Sequence, residues 1–231
     1  HIRSMIQIGA DEEITTVVTL RDFSEDSYLF MTTSKGIVKK VQTSEFSNAK
    51  TRGIIGLKLK SDDKLVSAIP TDGKSEVLIV TRRGKALRFN EDAVRCMGRA
   101  SGGICGMKLA EGDEISGVVK VTEGANVLLL TEKGYGKRVR FEDFNPHGRG
   151  TGGQRIFGNI EERGEIIGVL NVKESDEIVC MTSQGKTLRV SAAMISKQGR
   201  ASSGTRIINI DEPDYVVGFD KVANEDEKDK E

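Results

Sequence analysis

Thr33-Ser34-Lys35-Gly36, Thr81-Arg82-Arg83-Gly84, Thr131-Glu132-Lys133-Gly134 and Thr182-Ser183-Gln184-Gly185 set down the same four-residue pattern four times, with glycines 48, 50 and 51 residues apart. A second glycine, at Gly53, Gly103, Gly153 and Gly204, recurs at spacings of 50, 50 and 51 ahead of an apolar stretch. A third marker is the strand-like run that opens each unit: ITTVV from Ile14, LVSAI from Leu65, ISGVV from Ile115, IIGVL from Ile166 and YVVGF from Tyr215. One period fits all three. The chain therefore divides into four units, about 13–63, 64–113, 114–164 and 165–213, with a closing strand over 214–222.

Within a unit the reading is β throughout. Runs such as Tyr28-Leu29-Phe30-Met31-Thr32 and Val127-Leu128-Leu129-Leu130-Thr131 pack well on a pleated surface, and each ends in a Thr-x-x-Gly suited to a tight turn with glycine in the left-handed region. The longest helix-like window, Asn90 to Met97, is closed by Gly98. About four short strands per unit at this period predict blades arranged around an axis, in preference to a two-layer sandwich, which demands no equal units.

The 231 residues carry 35 Lys+Arg against 35 Asp+Glu, with no Trp and no apolar run long enough for a membrane span, so a soluble protein is expected. Cys96, Cys105 and Cys180 lack metal-ligand spacing, and His1 and His147 are the only imidazoles, so no metal site is expected and the thiols read as free in a reducing cytoplasm. The neutral balance hides an acidic end: Asn224 to Glu231 is expected to be a solvated tail that leaves the rest of the chain basic. His1 to Ser4 reads as a vector remnant before Met5. Ile6-Gln7-Ile8 repeats the close of a unit, so the natural protein is expected to continue upstream.

Aligned on the turn glycines, the fourth following residue is Lys40, Arg88, Arg138 or Arg189, and the fifth is Val41, Phe89, Val139 or Val190. Neighbouring strand residues face opposite sides, so each unit is expected to turn an apolar side chain to the core and a cation to solvent. Lys35 and Lys39, then Arg82, Arg83 and Lys85, then Lys133, Lys137 and Arg140, and finally Lys186 gather around this column, with no acid between turn glycine and column. Cations on an edge strand also guard against aggregation. Recurrence in four units favours a track for a polyanion, duplex DNA above all, bound through its phosphates without sequence readout.

The second glycine marker carries Arg99, Arg149 and Arg200 in GRASGG, GRGTGG and GRASSG, with Arg52 displaced in the first unit and Arg155 and Arg206 shortly after. These loops suit either phosphate contact or the connection between blades. Gly148 to Gly153 matches G-x-G-x-x-G, yet it follows no strand and opens no helix, which argues against a nucleotide site. The acidic pairs Asp62-Asp63, Asp113-Glu114 and Glu161-Glu162 recur at one position and are expected to form a solvated turn. Nothing places a nucleophile beside His147, so no catalysis is expected.

ITTVVTLRDFSEDSYLFMTTSKGIVKKVQTSEF, EKGYGKRVRFEDF, RVSAAMISKQGRASSGTRII and the acidic tail together resemble the C-terminal domain family of the bacterial gyrase A protein, over essentially the whole chain from Met5. The related topoisomerase IV domain is the runner-up. The resemblance implies a β-pinwheel, usually of six blades, with DNA wrapped around its rim in support of negative supercoiling by DNA gyrase, a type II topoisomerase. It further implies as partners the remainder of the gyrase A protein together with the gyrase B protein, a cytoplasmic, nucleoid-associated location, and no cofactor in this domain. Cleavage and ATP hydrolysis lie elsewhere. The family's basic glycine-rich box is absent, which predicts DNA binding with poor wrapping; a protein-interaction propeller whose cations meet an acidic partner is the remaining alternative.

Overall fold

The computed structural model describes residues 14–20, 22–49 and 53–222. The vector-like start, the repeat-closing Ile6-Gln7-Ile8, Arg52 and the acidic tail lie outside the described residues. Each unit folds around one hairpin: β1 (Tyr28–Thr33) with β2 (Ile37–Gln42), β4 (Glu76–Thr81) with β5 (Lys85–Asn90), β8 (Asn126–Thr131) with β9 (Tyr135–Arg140), and β12 (Glu177–Thr182) with β13 (Thr187–Ser191). No hairpin completes its own sheet. The next unit adds an inner strand and a two-residue outer strand: β3 (Leu65–Thr71) and β6 (Ile104–Cys105) on the first hairpin, β7 (Ile115–Lys120) and β10 (Gln154–Arg155) on the second, β11 (Ile166–Val172) and β14 (Thr205–Arg206) on the third. The fourth sheet receives only β15 (Val216–Lys221), so the outer edge of β13 is unpaired among the described residues.

These sheets are the blades of the propeller-like disc that the repeat period predicts. Ser67, Gly117, Gly168 and Gly218 of the inner strands, with Thr16, line one cleft at its centre. Ile14–Val18, expected as the first opening strand, has no regular secondary structure. An opening strand pairs with the hairpin of the unit before it, and no earlier hairpin exists among the described residues. The helix-like window folds into a 3-10 turn, Glu91–Ala93, matched by Thr43–Phe46, Phe141–Asp143 and Ala192–Met194 in the other units.

Three apolar clusters sit between successive blades. Val77 and Ile79 of β4 face the first blade beside Phe30 and Phe89, whereas Leu78 and Val80 face the third beside Val127 and Leu129; Leu128 and Leu130 in turn meet Ile178 and Cys180 of the fourth. Both faces of an interior blade are thus dry, which is why their strands are continuous apolar runs rather than alternating ones. The second glycine marker has a steric cause. A Cβ on Gly103, Gly153 or Gly204 would lie 2.6, 2.5 and 2.8 Å from the carbonyl oxygens of Val38, Ala86 and Gly136, where the outer strand joins the host hairpin, while Gly53, which has no host hairpin among the described residues, meets none of them within 4 Å.

The recurring acids form a solvated turn only in part: Asp62, Glu161 and Glu162 are exposed, but one acid of each of the first two pairs turns inward. Asp63 and Asp113 are buried, and with Asp214 they cap the hairpin turns. Asp63 Oδ1 accepts from Ser34 Oγ and the Lys35 N–H at 2.9 and 3.0 Å; Asp113 Oδ1 accepts from the Arg83 N–H at 3.1 Å; Asp214 Oδ1 accepts from Ser183 Oγ and the Gln184 N–H at 2.8 and 3.0 Å. In the third unit Gly164 occupies the position and Glu132 of the turn itself accepts from the Glu165 N–H at 3.2 Å. Glu161 and Glu162 form an exposed helical turn, Ile160–Arg163, instead.

Burial alone would raise the Asp63 pKa, but hydrogen bonds from Thr33, the Lys35 N–H, Ser34 and the Lys64 N–H outweigh it and hold the carboxyl below its ordinary value. A carboxyl depressed in the fold stabilises above its unfolded pKa of about 4 and loses that contribution as pH falls through the folded value. Asp63→Asn should lower stability at neutral pH by about 1–2 kcal/mol and flatten the loss of stability below about pH 4, read from urea midpoints over a pH series.

Candidate nucleic-acid interface

The basic column points from each blade into the next. Lys40 Nζ donates to Glu91 O at 3.1 Å and Gly73 O at 3.4 Å. Arg88 Nη1 donates to Phe141 O and Phe144 O at 2.9 and 3.2 Å while its other nitrogens hold Glu76. Arg138 donates from Nε to Ile195 O at 2.8 Å and from Nη2 to Ala193 O at 3.3 Å, with Glu174 at 3.4 Å. Most of these acceptor carbonyls lie in, or just after, the 3-10 turn of the following unit. The expectation that the column faces solvent is overturned for these three, because the side opposite the apolar column is the neighbouring blade and not water. Arg189 has no following blade among the described residues; its side chain is 65% exposed and pairs with Glu177.

Lys39 and Lys137, also expected outside, are fully buried. Lys39 Nζ donates to Gly56 O, Arg99 O and Ser101 O. Lys137 Nζ donates to Gly199 O, Arg200 O and Ser202 O at 2.8–2.9 Å and stands 5.1 Å from the Phe157 ring centre. Burial pushes the Lys137 ammonium down to about 7 against the opposing pull of Asp143, and Lys39 is lowered by burial with Arg99 adding to it.

The remaining cations gather at the turn end of each hairpin and on the outer strand beside it. Lys85 and Arg155 stand directly opposite each other where β5 meets β10, both exposed and neither within ion-pair distance of a carboxylate among the described residues. Arg83 next to them reaches Glu111 O at 3.0 Å and Glu165 at 3.8 Å, and Arg82 pairs with Glu165 at 2.7 Å. On the third blade, Arg206 of β14 lies opposite Tyr135 and donates to its Oη at 2.6 Å; this contact, partly offset by burial and reinforced by Arg163, holds the phenol below its usual pKa. Lys133 in the adjacent turn reaches Glu162 O at 3.4 Å; Lys35, 3.6 Å from Glu114, and Lys186 are exposed. Arg140 is exposed and paired with Asp143.

The arginines of the glycine-rich loops bind protein. Arg149 donates to Ala93 O and Cys105 O at 2.8 and 3.0 Å, Arg200 to Gln154 Oε1 at 2.8 Å, and Arg99 lies 3.5 Å from Glu45. Of the two roles open to these loops, the connection between blades is the one the geometry favours. Tyr135 sits among these cations, against Arg206 and Arg163, although no charge pattern in the sequence points to it. The one signal is the aromatic in GYGKR, at the hairpin position that pairs with the outer strand.

Removing Arg88 would leave Glu76 and two carbonyls facing an apolar interface, so Arg88→Ala should cost about 3 kcal/mol. Arg189→Ala, at the same repeat position, should change stability by no more than about 0.5 kcal/mol. Chemical denaturation of the two variants measures the contrast.

Four stretches, residues 27–72, 75–122, 125–173 and 176–223, match the family model described as DNA gyrase C-terminal domain, beta-propeller. The gyrase A protein of Treponema pallidum is 61% identical over 219 residues, which cover 95% of this chain and 27% of that protein, so the chain spans about a quarter of the relative. A solved DNA gyrase A C-terminal domain superposes with a TM-score of 0.88 at 31% identity, covering 96% of this chain and 74% of the other. The C-terminal domain of a DNA topoisomerase IV gives 0.87 at 29% identity, covering 96% and 70%. The chain belongs to the DNA gyrase C-terminal domain, β-propeller family.

Proposed function

We propose that the chain binds duplex DNA along the outer rim of the disc and bends it without reading sequence, as the non-catalytic wrapping part of a gyrase that introduces negative supercoils, in the company of the rest of the gyrase A protein and of the gyrase B protein. The observation that carries this is the Lys85–Arg155 pair. Like charges directly opposite on two strands destabilise a sheet, and here, although Glu161 and Glu162 line the same cleft, no carboxylate among the described residues comes within ion-pair distance, so a phosphate between them is the natural neutraliser. One blade on, Arg206 stands opposite Tyr135 with Lys133 in the adjacent turn, and Lys35, Arg83, Lys186 and Arg189 extend the row of cations in both directions. Lys39, Lys40, Lys137 and Arg138 hold the blades together instead.

A duplex carries one charge per ~1.7 Å of axis and resists bending over a persistence length of ~50 nm, so stations on several blades are needed to hold a wrapped path. Identity of 61% to a gyrase A protein supports gyrase over topoisomerase IV. The scaffold alternative has no comparable support, since the exposed cations recur at one end of the hairpins. Lys85→Ala and Arg155→Ala should each lower the slope of log affinity against log salt by about one, equally for duplexes of unrelated sequence. Fluorescence anisotropy over a salt series reads it; unchanged slopes in both variants would remove the phosphate station.

A further inference from the structure

Lys39 and Lys137 stand at the third position after their turn glycines, where the second blade has Leu87. Leu87 is fully buried as well, so the site accepts an apolar side chain, and an ammonium buried there with no carboxylate in ion-pair contact is the costlier choice. Each ammonium has three N–H groups, and each finds backbone carbonyls of a loop brought in by the next unit: Arg99 and Ser101 for Lys39, with Gly56 as the third, and Gly199, Arg200 and Ser202 for Lys137. Both loops run directly into an outer strand, β6 and β14, on the same hairpin that carries the lysine. The second blade provides the internal contrast. Its loop, Gly148 to Gly153, has no ammonium beneath it; Arg149 within the loop, exposed where Arg99 and Arg200 are half-buried, donates outward to Ala93 O and Cys105 O, and the loop backbone bonds the preceding loop through the Gly150 N–H to Gly106 O at 2.6 Å and the Lys108 N–H to Thr151 O at 3.0 Å.

We infer that Lys39 and Lys137 are positioning residues for the DNA-binding rim, each clamping from below the glycine-rich loop that sets the adjacent outer strand in place, so that a buried ammonium seats this loop on the first and third blades where Arg149 and backbone hydrogen bonds seat it on the second. The inference rests on the reading of the rim as a DNA track. Neither lysine touches DNA; each acts through the loop it holds.

Lys39→Met and Lys137→Met test it in the chain as it stands. Amide exchange at Ile104–Gly106 for the first variant and Thr205–Ile207 for the second should accelerate by about tenfold or more, with Gln154–Ile156 unaffected. Duplex affinity should fall roughly threefold to tenfold while the log–log salt slope stays constant, because no phosphate contact is lost. A slope reduced by about one would make the lysine a direct phosphate ligand and overturn the proposal, as would exchange that does not change. Should a variant fail to fold, the nitrogen-15 spectrum of the unaltered chain decides: two slowly exchanging lysine ammonium groups that persist when duplex is added support the clamp, and their absence refutes it. If the unaltered chain binds no duplex, the DNA reading fails by itself and the exchange measurement still judges the clamp.

Discussion

Every interior sheet of this protein depends on strands it does not own. The hairpin of one unit is finished on its inner edge by the opening strand of the next and on its outer edge by two residues delivered from that unit's glycine-rich loop. Cooperation between neighbours is therefore built into the backbone hydrogen bonding and not only into side-chain packing. It also explains where glycine is required: the outer strand approaches so closely that a Cβ at Gly153 would fall 2.5 Å from the Ala86 carbonyl oxygen. Among the described residues the arrangement covers the outer hairpin edge of the first three blades, as sheet edges require, and leaves that of the last open.

Radiating sheets have two dry faces, and that governs the charges. A cation on the strand face opposite the core-facing column meets the adjoining blade, where main-chain carbonyls in and around a 3-10 turn satisfy it. Lys40, Arg88 and Arg138 are thus pegs between blades, and Arg189 shows the same residue type without a socket. Buried cations are tolerable because every one has several acceptors, and removing one member would strand the others. The acids follow the same logic: Asp63, Asp113 and Asp214 serve turn N–H groups, which ties their charge to the backbone instead of the rim.

What is left for a ligand is the rim. Lys85, Arg155, Arg206, Lys133 and Lys186 lie at the turn end of the hairpins or on the outer strands beside them, so on the second and third blades the element that completes the sheet also carries charge to the perimeter. Blade completion and the proposed DNA contact share one loop. A shift in how that loop is seated would alter both, which ties the seating lysines to the proposed function.

The repeat period, the turns, the β character and the blade architecture are legible in the sequence, because a backbone turn that needs glycine and a strand that needs apolar residues leave marks at fixed intervals. Family membership is legible for the same reason, through motifs such as GYGKR. Which face of a strand meets water is not: alternation separates two sides, and only the placement of neighbouring blades decides whether the second side is solvent or protein. For this reason Lys39, Lys40, Lys137 and Arg138 read as surface charge and are interior, while Lys85 and Arg155, 70 residues apart in the chain, become neighbours only through a strand handed from one unit to the next.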